Sequence, residues 1–133
     1  MTEDITSNNP RVIVVQKLYM NHLNKDSNLT FPKHRYKKFI KDVVNGTIER
    51  KELIEELINR EFKKDINENK TELMIKLMIM AAIYEFLYMH KTPIKVIITE
   101  YLKVCDSFVD DGQKSFLNAI LDKASKIRKS NNQ

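Results

Sequence analysis

The sequence is poor in the residues that form tight turns and in cysteine. Its 133 residues include only two glycines, three prolines and one cysteine. Sheets need frequent turns, and the apolar residues recur mostly at helical spacing, so we expect an all-α protein. The single Cys105 excludes an internal disulfide and is typical of a reducing compartment. We therefore expect a cytoplasmic protein in which this thiol is buried.

Motifs that mark most catalytic and metal sites are also missing. The sequence contains no glycine-rich phosphate loop and no CxxC or HExxH pattern. The scattered His22, His34 and His90 are expected at the surface. The adjacent Asp110 and Asp111 precede the last predicted helix, where acidic residues usually complement the helix dipole. We therefore expect no enzyme activity, no metal, no cofactor and no small-molecule substrate.

Only one stretch is apolar on nearly every side, and it runs from Leu73 to Tyr88 with Lys76 and Glu85 as interruptions. A membrane span needs about 18 consecutive apolar residues, so this stretch predicts a core helix and no membrane partner. The N-terminal segment MTEDITSNN has neither the basic start nor the apolar core of a signal peptide. We expect residues 1–9 to be a disordered polar tail, residues 10–129 to form one helical domain, and residues 130–133 to be a polar tail.

Start and stop signals divide this domain into helices. Asn9 is a suitable cap before Pro10, and Thr92 before Pro93, because proline suits the first helical position. Residues 12–15 favour a strand by propensity, yet the spacing of the following apolar residues favours a helix. Asn45-Gly46 is expected to end the second helix. The first predicted helix starts at Pro10. The others span Pro32 to Asn45, Ile48 to Phe62, Leu73 to Tyr88, Pro93 to about Asp106, and Gln113 to Arg128.

The net charge of +5 and the sequence pI near 9.2 permit a nucleic-acid partner without requiring one. Lys33, Lys37 and Lys41 recur every fourth residue on the outer side of the second predicted helix. This lysine stripe is either an RNA surface or an ordinary solvated face.

Two runs in the second half of the chain carry a family resemblance. The first is Ala82-Ile83-Tyr84-Glu85-Phe86 followed by Pro93-Ile94-Lys95-Val96 and Thr99-Glu100. The second is Ser107-Phe108 followed by Phe116-Leu117-Asn118-Ala119-Ile120-Leu121-Asp122-Lys123, and Gln16-Lys17-Leu18-Tyr19 adds a third match near the N-terminus. With these runs in this order and separation, the chain resembles the NusB family of transcription antitermination factors.

The resemblance implies a fold of two three-helix bundles and a function without catalysis or cofactor. Such proteins bind boxA-type RNA together with a small-subunit ribosomal protein, called NusE in that role. The pair acts in the transcription elongation complex, helps RNA polymerase through terminators and supports ribosomal RNA transcription. The alternative is a protein–protein adaptor of the same fold whose own RNA binding is weakened.

Several positions depart from the family pattern. The family usually carries an arginine-rich segment before the first helix, and here only Arg11 keeps that charge. Met80 stands where the family tends to place an arginine, and Gly112 and Ser115 replace an acidic residue and a lysine. Because phosphate contacts dominate RNA affinity, these losses predict either a relocated set of cations or weak RNA binding without the ribosomal protein.

The resemblance, combined with these departures, implies two sets of site residues. Phe108 and Phe116 could stack on unpaired bases or be core residues. Tyr19 could anchor an interface or be core. The expected RNA-binding residues are Arg11, Lys17, Lys76, Phe108, Lys114, Phe116 and Asn118, and the expected partner-binding residues are Tyr19, Tyr84 and Glu85.

Overall fold

A computed structural model describes residues 8–26, 28–66, 71–108 and 112–131, and this part of the chain consists of helices without strands. The all-α prediction is confirmed. Residues 1–7 of the expected tail at residues 1–9, and the Asp110-Asp111 pair, lie outside the described residues. The helices are α1 (Pro10–Leu23), α2 (Lys37–Glu49), α3 (Lys51–Phe62), α4 (Leu73–Tyr88), α5 (Ile94–Phe108), α6 (Gly112–Ala124) and α7 (Lys126–Asn131).

Helix α4 is the centre of the fold. Every residue from Leu77 to Leu87 is buried, including Glu85, and α4 contacts each of the other helices. On one side α1, α2 and α3 follow one another, and on the other α5 and α6 pack on α4 and on each other. This arrangement matches the expected pair of three-helix groups. No helix of the described residues is long and apolar enough to cross a membrane.

Helix α1 begins as predicted. Asn9 Oδ1 accepts a hydrogen bond of 3.0 Å from the Arg11 amide, and Pro10 occupies the first turn. Residues 12–15 are helical in spite of their strand propensity, because all four side chains are buried in the core. Tertiary burial therefore decided the state of this segment.

Gly46 does not end α2, contrary to the prediction from Asn45-Gly46. The helix starts later than expected, at Lys37, and continues through Gly46 to Glu49. A Cβ atom at position 46 would overlap the ring of Tyr84 on α4. Glycine is therefore required here by close helix packing and not by a left-handed turn.

The predicted last helix is broken in two. Its chain turns at Ser125, whose Oγ donates a 2.7 Å hydrogen bond to the carbonyl of Asp122. Helix α7 then packs against α4 and α6 and continues to Asn131, beyond the predicted start of the C-terminal tail at residue 130. This break places Arg128 beneath the C-terminal end of α4.

Candidate RNA and partner interface

Glu85 is a fully buried carboxylate in the last turn of the apolar helix α4, and two other helices supply its donors. Arg11 on α1 donates from Nε to Oε2 at 2.9 Å and from Nη2 to Oε1 at 2.6 Å. Tyr101 on α5 donates its hydroxyl to Oε2 at 2.6 Å. A buried charge is tolerated only when it is paired and hydrogen-bonded, and all three side chains meet that condition.

Burial lowers the pKa of Arg11 but raises that of Tyr101, whereas the charge of Glu85 raises both. Burial alone would lower the pKa of Arg11, but the hydrogen bonds and charge of Glu85 outweigh it and raise this pKa. Burial, and then the charge of Glu85, raise the pKa of Tyr101 well above its ordinary value. Tyr101 therefore stays a donor. The Arg11 guanidinium also lies 4.8 Å from the ring centroid of Phe39, so an aromatic face covers it.

Arg128 caps the same C-terminal end of α4 through the backbone. Its Nε donates to the carbonyl of Phe86 at 2.9 Å, and its Nη2 donates to the carbonyls of Glu85 and Met89, both at 2.9 Å. Nη1 donates to the carbonyl of Thr92 at 2.6 Å. Burial lowers the pKa of Arg128, while the charge of Glu85 opposes that shift. The cation therefore satisfies carbonyls at the C-terminus of α4, a helix other than its own.

Arg11, which the resemblance implies as a phosphate contact, lies mostly inside the fold. Only 8% of Arg11 is exposed, and its Nε and Nη2 both donate to the buried carboxylate of Glu85. Contact with a phosphate would require breaking a buried ion pair. Arg11 is thus placed as a structural residue that joins α1 to α4.

Two of the three expected partner-binding residues are also buried. Glu85 has no exposed surface, and Tyr84 is only 6% exposed. The Tyr84 hydroxyl donates to Asp42 Oδ1 at 2.6 Å, so it fastens α4 to α2. Burial and this hydrogen bond raise the pKa of Tyr84 to about 12. Both side chains act inside the fold, and a direct partner contact is not available to Glu85 in this conformation.

Tyr19 is more accessible than the other two. It is 37% exposed, beside Met20 at 49% and Leu23 at 65%, and Tyr19 and Leu23 lie one turn apart on α1. We name these three residues the α1 patch. Exposed apolar residues that cluster on one helix are typical of protein-binding surfaces.

Four of the expected RNA-binding residues lie at the end of α5 or in the first half of α6, a region that we name the α5–α6 corner: Phe108, Lys114, Phe116 and Asn118. Lys114 Nζ lies 3.1 Å from Asp106 Oδ2 and so connects α6 to α5. Asn118, one turn further along α6, is exposed. Phe108 and Phe116 are half-buried and pack against the core, so each ring retains an accessible part.

The remaining expected cations lie elsewhere. Lys17 is half-buried on α1. Lys76 is half-buried in the first turn of α4 and lines a pocket of about 240 Å³ between α1, α3 and α4. Cys105 is buried, as expected, and His22 and His90 are exposed. Among the residues that the structure describes, no group of histidine, cysteine or acidic side chains could hold a metal ion.

Comparison with known proteins identifies the family. A family model described as "NusB family" matches residues 4–126. The chain belongs to the NusB family. Its fold is that of T. maritima NusB, with a TM-score of 0.76 over 90% of this chain and 89% of that chain at 23% identity.

Two curated relatives carry the same printed name, "Transcription antitermination protein NusB". The protein of Bradyrhizobium diazoefficiens is 29% identical over 84 residues, which are 63% of this chain and 51% of that relative. The protein of Lysinibacillus sphaericus is 31% identical over 85 residues, or 64% of this chain and 66% of that relative. The chain therefore spans about half to two thirds of the length of the curated relatives it matches.

Sequence reasoning missed the structural partners of Glu85 and the role of Arg128 in this NusB-family chain. A glutamate within an apolar helix is itself a signal, because a buried carboxylate needs donors from elsewhere in the protein. No comparable signal exists for Arg128, which looks like one of several cations at the end of a helix. Its role depends on the break at Ser125.

Proposed function

We propose that this chain is a transcription antitermination factor that recognises boxA-type RNA together with a small-subunit ribosomal protein in the role of NusE. Membership of the NusB family over residues 4–126 carries the proposal. The pair would act in the transcription elongation complex and support ribosomal RNA transcription. No chemical step is involved.

The RNA contact that we propose is centred on the α5–α6 corner. Lys114 supplies a cation, Asn118 supplies amide groups for a base edge, and the exposed parts of Phe108 and Phe116 supply surfaces for unpaired bases. Lys17 and Lys76 add charge from α1 and α4. Arg11 is left out of this set because Glu85 holds it inside the fold.

The ribosomal protein is proposed to dock on the α1 patch. Tyr19 is the member with the largest rigid side chain, and half-exposed aromatic residues are frequent anchors of interfaces. Tyr84 and Glu85 support this surface from within, since they hold α4 against α2 and α1.

A binding titration tests the RNA part. We expect a fluorescent boxA-type RNA to bind more tightly than a scrambled RNA of the same composition, and to bind more tightly still when the ribosomal protein is added. Lys114→Gln should weaken binding and reduce the salt slope by about 0.7, because it removes one phosphate contact. Lys103→Gln is the matched control, because Lys103 is likewise exposed with one surface ion pair, to Glu100 at 3.2 Å.

Two outcomes contradict the proposal in different ways. Absence of RNA binding at low salt, with and without the ribosomal protein, refutes RNA recognition, and retained binding of the ribosomal protein would then indicate an adaptor. For the partner, Tyr19→Ala should weaken binding of the ribosomal protein at least about fivefold. Tyr36→Ala, at another exposed tyrosine (45%), should leave it unchanged. Equal effects of the two substitutions would refute docking on the α1 patch.

A further inference from the structure

An open groove of about 800 Å³ runs along α2 and reaches Tyr84 on α4. We name it the α2–α4 groove. Three exposed lysines, Lys37, Lys38 and Lys41, line one end, and Arg50 and Tyr84 line the other. Lys37 and Lys41 are one turn apart and about 6 Å apart along the helix axis, so both face the same side.

The lysines of this groove have no ion-pair partner among the described residues. In the described part of the chain, no carboxylate lies within ion-pair distance of Lys37, Lys38 or Lys41. The groove contains two carboxylates, and each has a partner of its own. Asp42 accepts the hydroxyl of Tyr84 at 2.6 Å, and Glu49 lies 3.5 Å from Arg50.

Beside the far end of the groove lies a partly exposed stack of Arg50, Tyr88 and Tyr84, whose two tyrosine rings are inclined by 38° to each other. The Arg50 guanidinium lies 4.4 Å from the ring centroid of Tyr88, and the side chain of Arg50 is 38% exposed. Tyr88 is 41% exposed, and its ring centroid is 5.1 Å from that of Tyr84. Guanidinium planes and aromatic rings are the surfaces on which unpaired bases stack.

We propose that the α2–α4 groove is a second RNA-contact surface, which holds a single-stranded segment by its phosphates along Lys37, Lys38 and Lys41 and stacks a base at Arg50 and Tyr88. The row of cations without ion-pair partners among the described residues favours a polyanion, and the stack beside its end favours nucleotides over acidic peptide. The contacts are to phosphates and ring faces, so they carry affinity without sequence preference. The inference rests on the proposed RNA binding and adds a surface distinct from the α5–α6 corner.

Charge removal in the groove tests this inference. Lys37→Gln/Lys41→Gln is compared with Lys63→Gln/Lys64→Gln, which removes the same charge from two exposed lysines after α3. BoxA-type and scrambled RNA are titrated at about 50 mM and about 200 mM salt. Because the groove variant cannot hold two of the phosphates, the ratio of wild-type to variant affinity should be about sevenfold larger at the lower salt, and equal for both RNAs. The Lys63/Lys64 control should remain within about twofold of the wild type at both salts.

A second pair of variants tests the stack. Tyr88→Phe keeps the ring and should leave RNA affinity within about twofold, whereas Tyr88→Leu should lower it at least about fivefold. Thermal unfolding of each variant checks that the fold is retained. Equal affinities of the two Tyr88 variants would overturn the stacking part of the inference.

The outcomes separate this inference from the proposed function. If boxA-type RNA is preferred but the groove variant behaves like its control, the groove inference is overturned and the proposed function stands. If the wild type shows no preference for boxA-type RNA but the groove variant loses affinity, the groove inference stands and boxA recognition fails. If a polyglutamate peptide binds the groove more tightly than either RNA, the occupant is an acidic protein segment and the inference is overturned.

Discussion

The buried contact between Arg11 and Glu85 gives the sharpest prediction, because the residue that the sequence suggested for RNA is placed inside the protein. Arg11→Ala removes two hydrogen bonds, of 2.9 and 2.6 Å, from a carboxylate with no exposed surface and leaves Tyr101 as its remaining donor. Removing one partner of a buried ion pair costs about 3–5 kcal/mol in the free energy of unfolding. For a chain of this size, that loss corresponds to a decrease in Tm of about 10–20 °C.

Chemical denaturation followed by circular dichroism measures this loss. Lys17→Ala is the control on the same helix, since Lys17 is half-buried and forms no ion pair with the described residues, and it should change the free energy of unfolding by less than about 1 kcal/mol. An Arg11→Ala variant with wild-type stability and reduced RNA affinity would refute the structural role and restore Arg11 as an RNA contact.

A triple variant separates loss of the pair from loss of packing. Arg11→Met/Glu85→Leu/Tyr101→Phe removes every polar group of the cluster and retains most of its volume. Replacing a buried ion pair by apolar residues is often neutral or stabilising, so the triple variant should be more stable than Arg11→Ala. A triple variant that is less stable than the single one would show that unpaired charge is not the source of the loss.

Three further predictions concern the contacts of α4. Arg128→Lys should lower the free energy of unfolding by about 2–4 kcal/mol in urea denaturation, because an ammonium cannot reproduce a planar guanidinium that donates to four carbonyls. A loss below about 0.5 kcal/mol would contradict the role of Arg128 as the cap of α4. Gly46→Ala should destabilise by about 1–3 kcal/mol, because the added Cβ overlaps Tyr84, although alanine normally stabilises a helix relative to glycine. Gly112→Ala, where a Cβ would have no neighbour within 4 Å, should not destabilise, and equal effects at both glycines would refute the packing argument. The pKa of Tyr84 is raised from 10.0 to about 12, so the contribution of its hydroxyl to stability is complete below pH 10 and is lost as pH rises from 10 to about 12. The difference in unfolding free energy between the wild type and Tyr84→Phe should therefore shrink over that interval. A constant difference would argue against the raised pKa.

The placement of Arg11 changes how the missing N-terminal arginines bear on function. With Arg11 engaged by Glu85, the cations proposed for RNA come from the α5–α6 corner, from Lys17 and Lys76, and from the α2–α4 groove. Met80, which stands where the family tends to carry an arginine, is 8% exposed and part of the core. Under the proposed function, we therefore expect RNA affinity to depend on these surfaces and not on the N-terminal half of α1.

The parts of the fold that could be predicted are those that depend on residues close together in the sequence. The capped start of α1 at Asn9 and the bounds of α4 follow from propensity and periodicity, which act within a few residues. The stop at Asn45-Gly46 was wrong because the same two residues suit both a helix end and a close helix crossing. Which of these applies depends on Tyr84, which lies on another helix.

The candidate site was predictable to a lesser degree. Phe108, Lys114, Phe116 and Asn118 lie at the end of α5 and in the first half of α6 because they are close in sequence, and their contact with RNA stays a prediction. The sequence predicts an RNA contact for Arg11 and a partner contact for Glu85. In the structure these two residues, 74 positions apart in sequence, form one ion pair. Charge alone does not distinguish a surface cation from a buried one.

The sequence by itself determined the helical class, the apolar central helix and membership of the NusB family, because composition, periodicity and motif order are properties of the chain alone. Only the tertiary structure decided which charged side chains are available to RNA or a partner. Pairing of Arg11 with Glu85, capping of α4 by Arg128 and the open row at Lys37 and Lys41 all depend on which helix faces each side chain. Arg11 and Glu85 pair because packing removes both from water, and a buried charge needs its counter-charge within the protein.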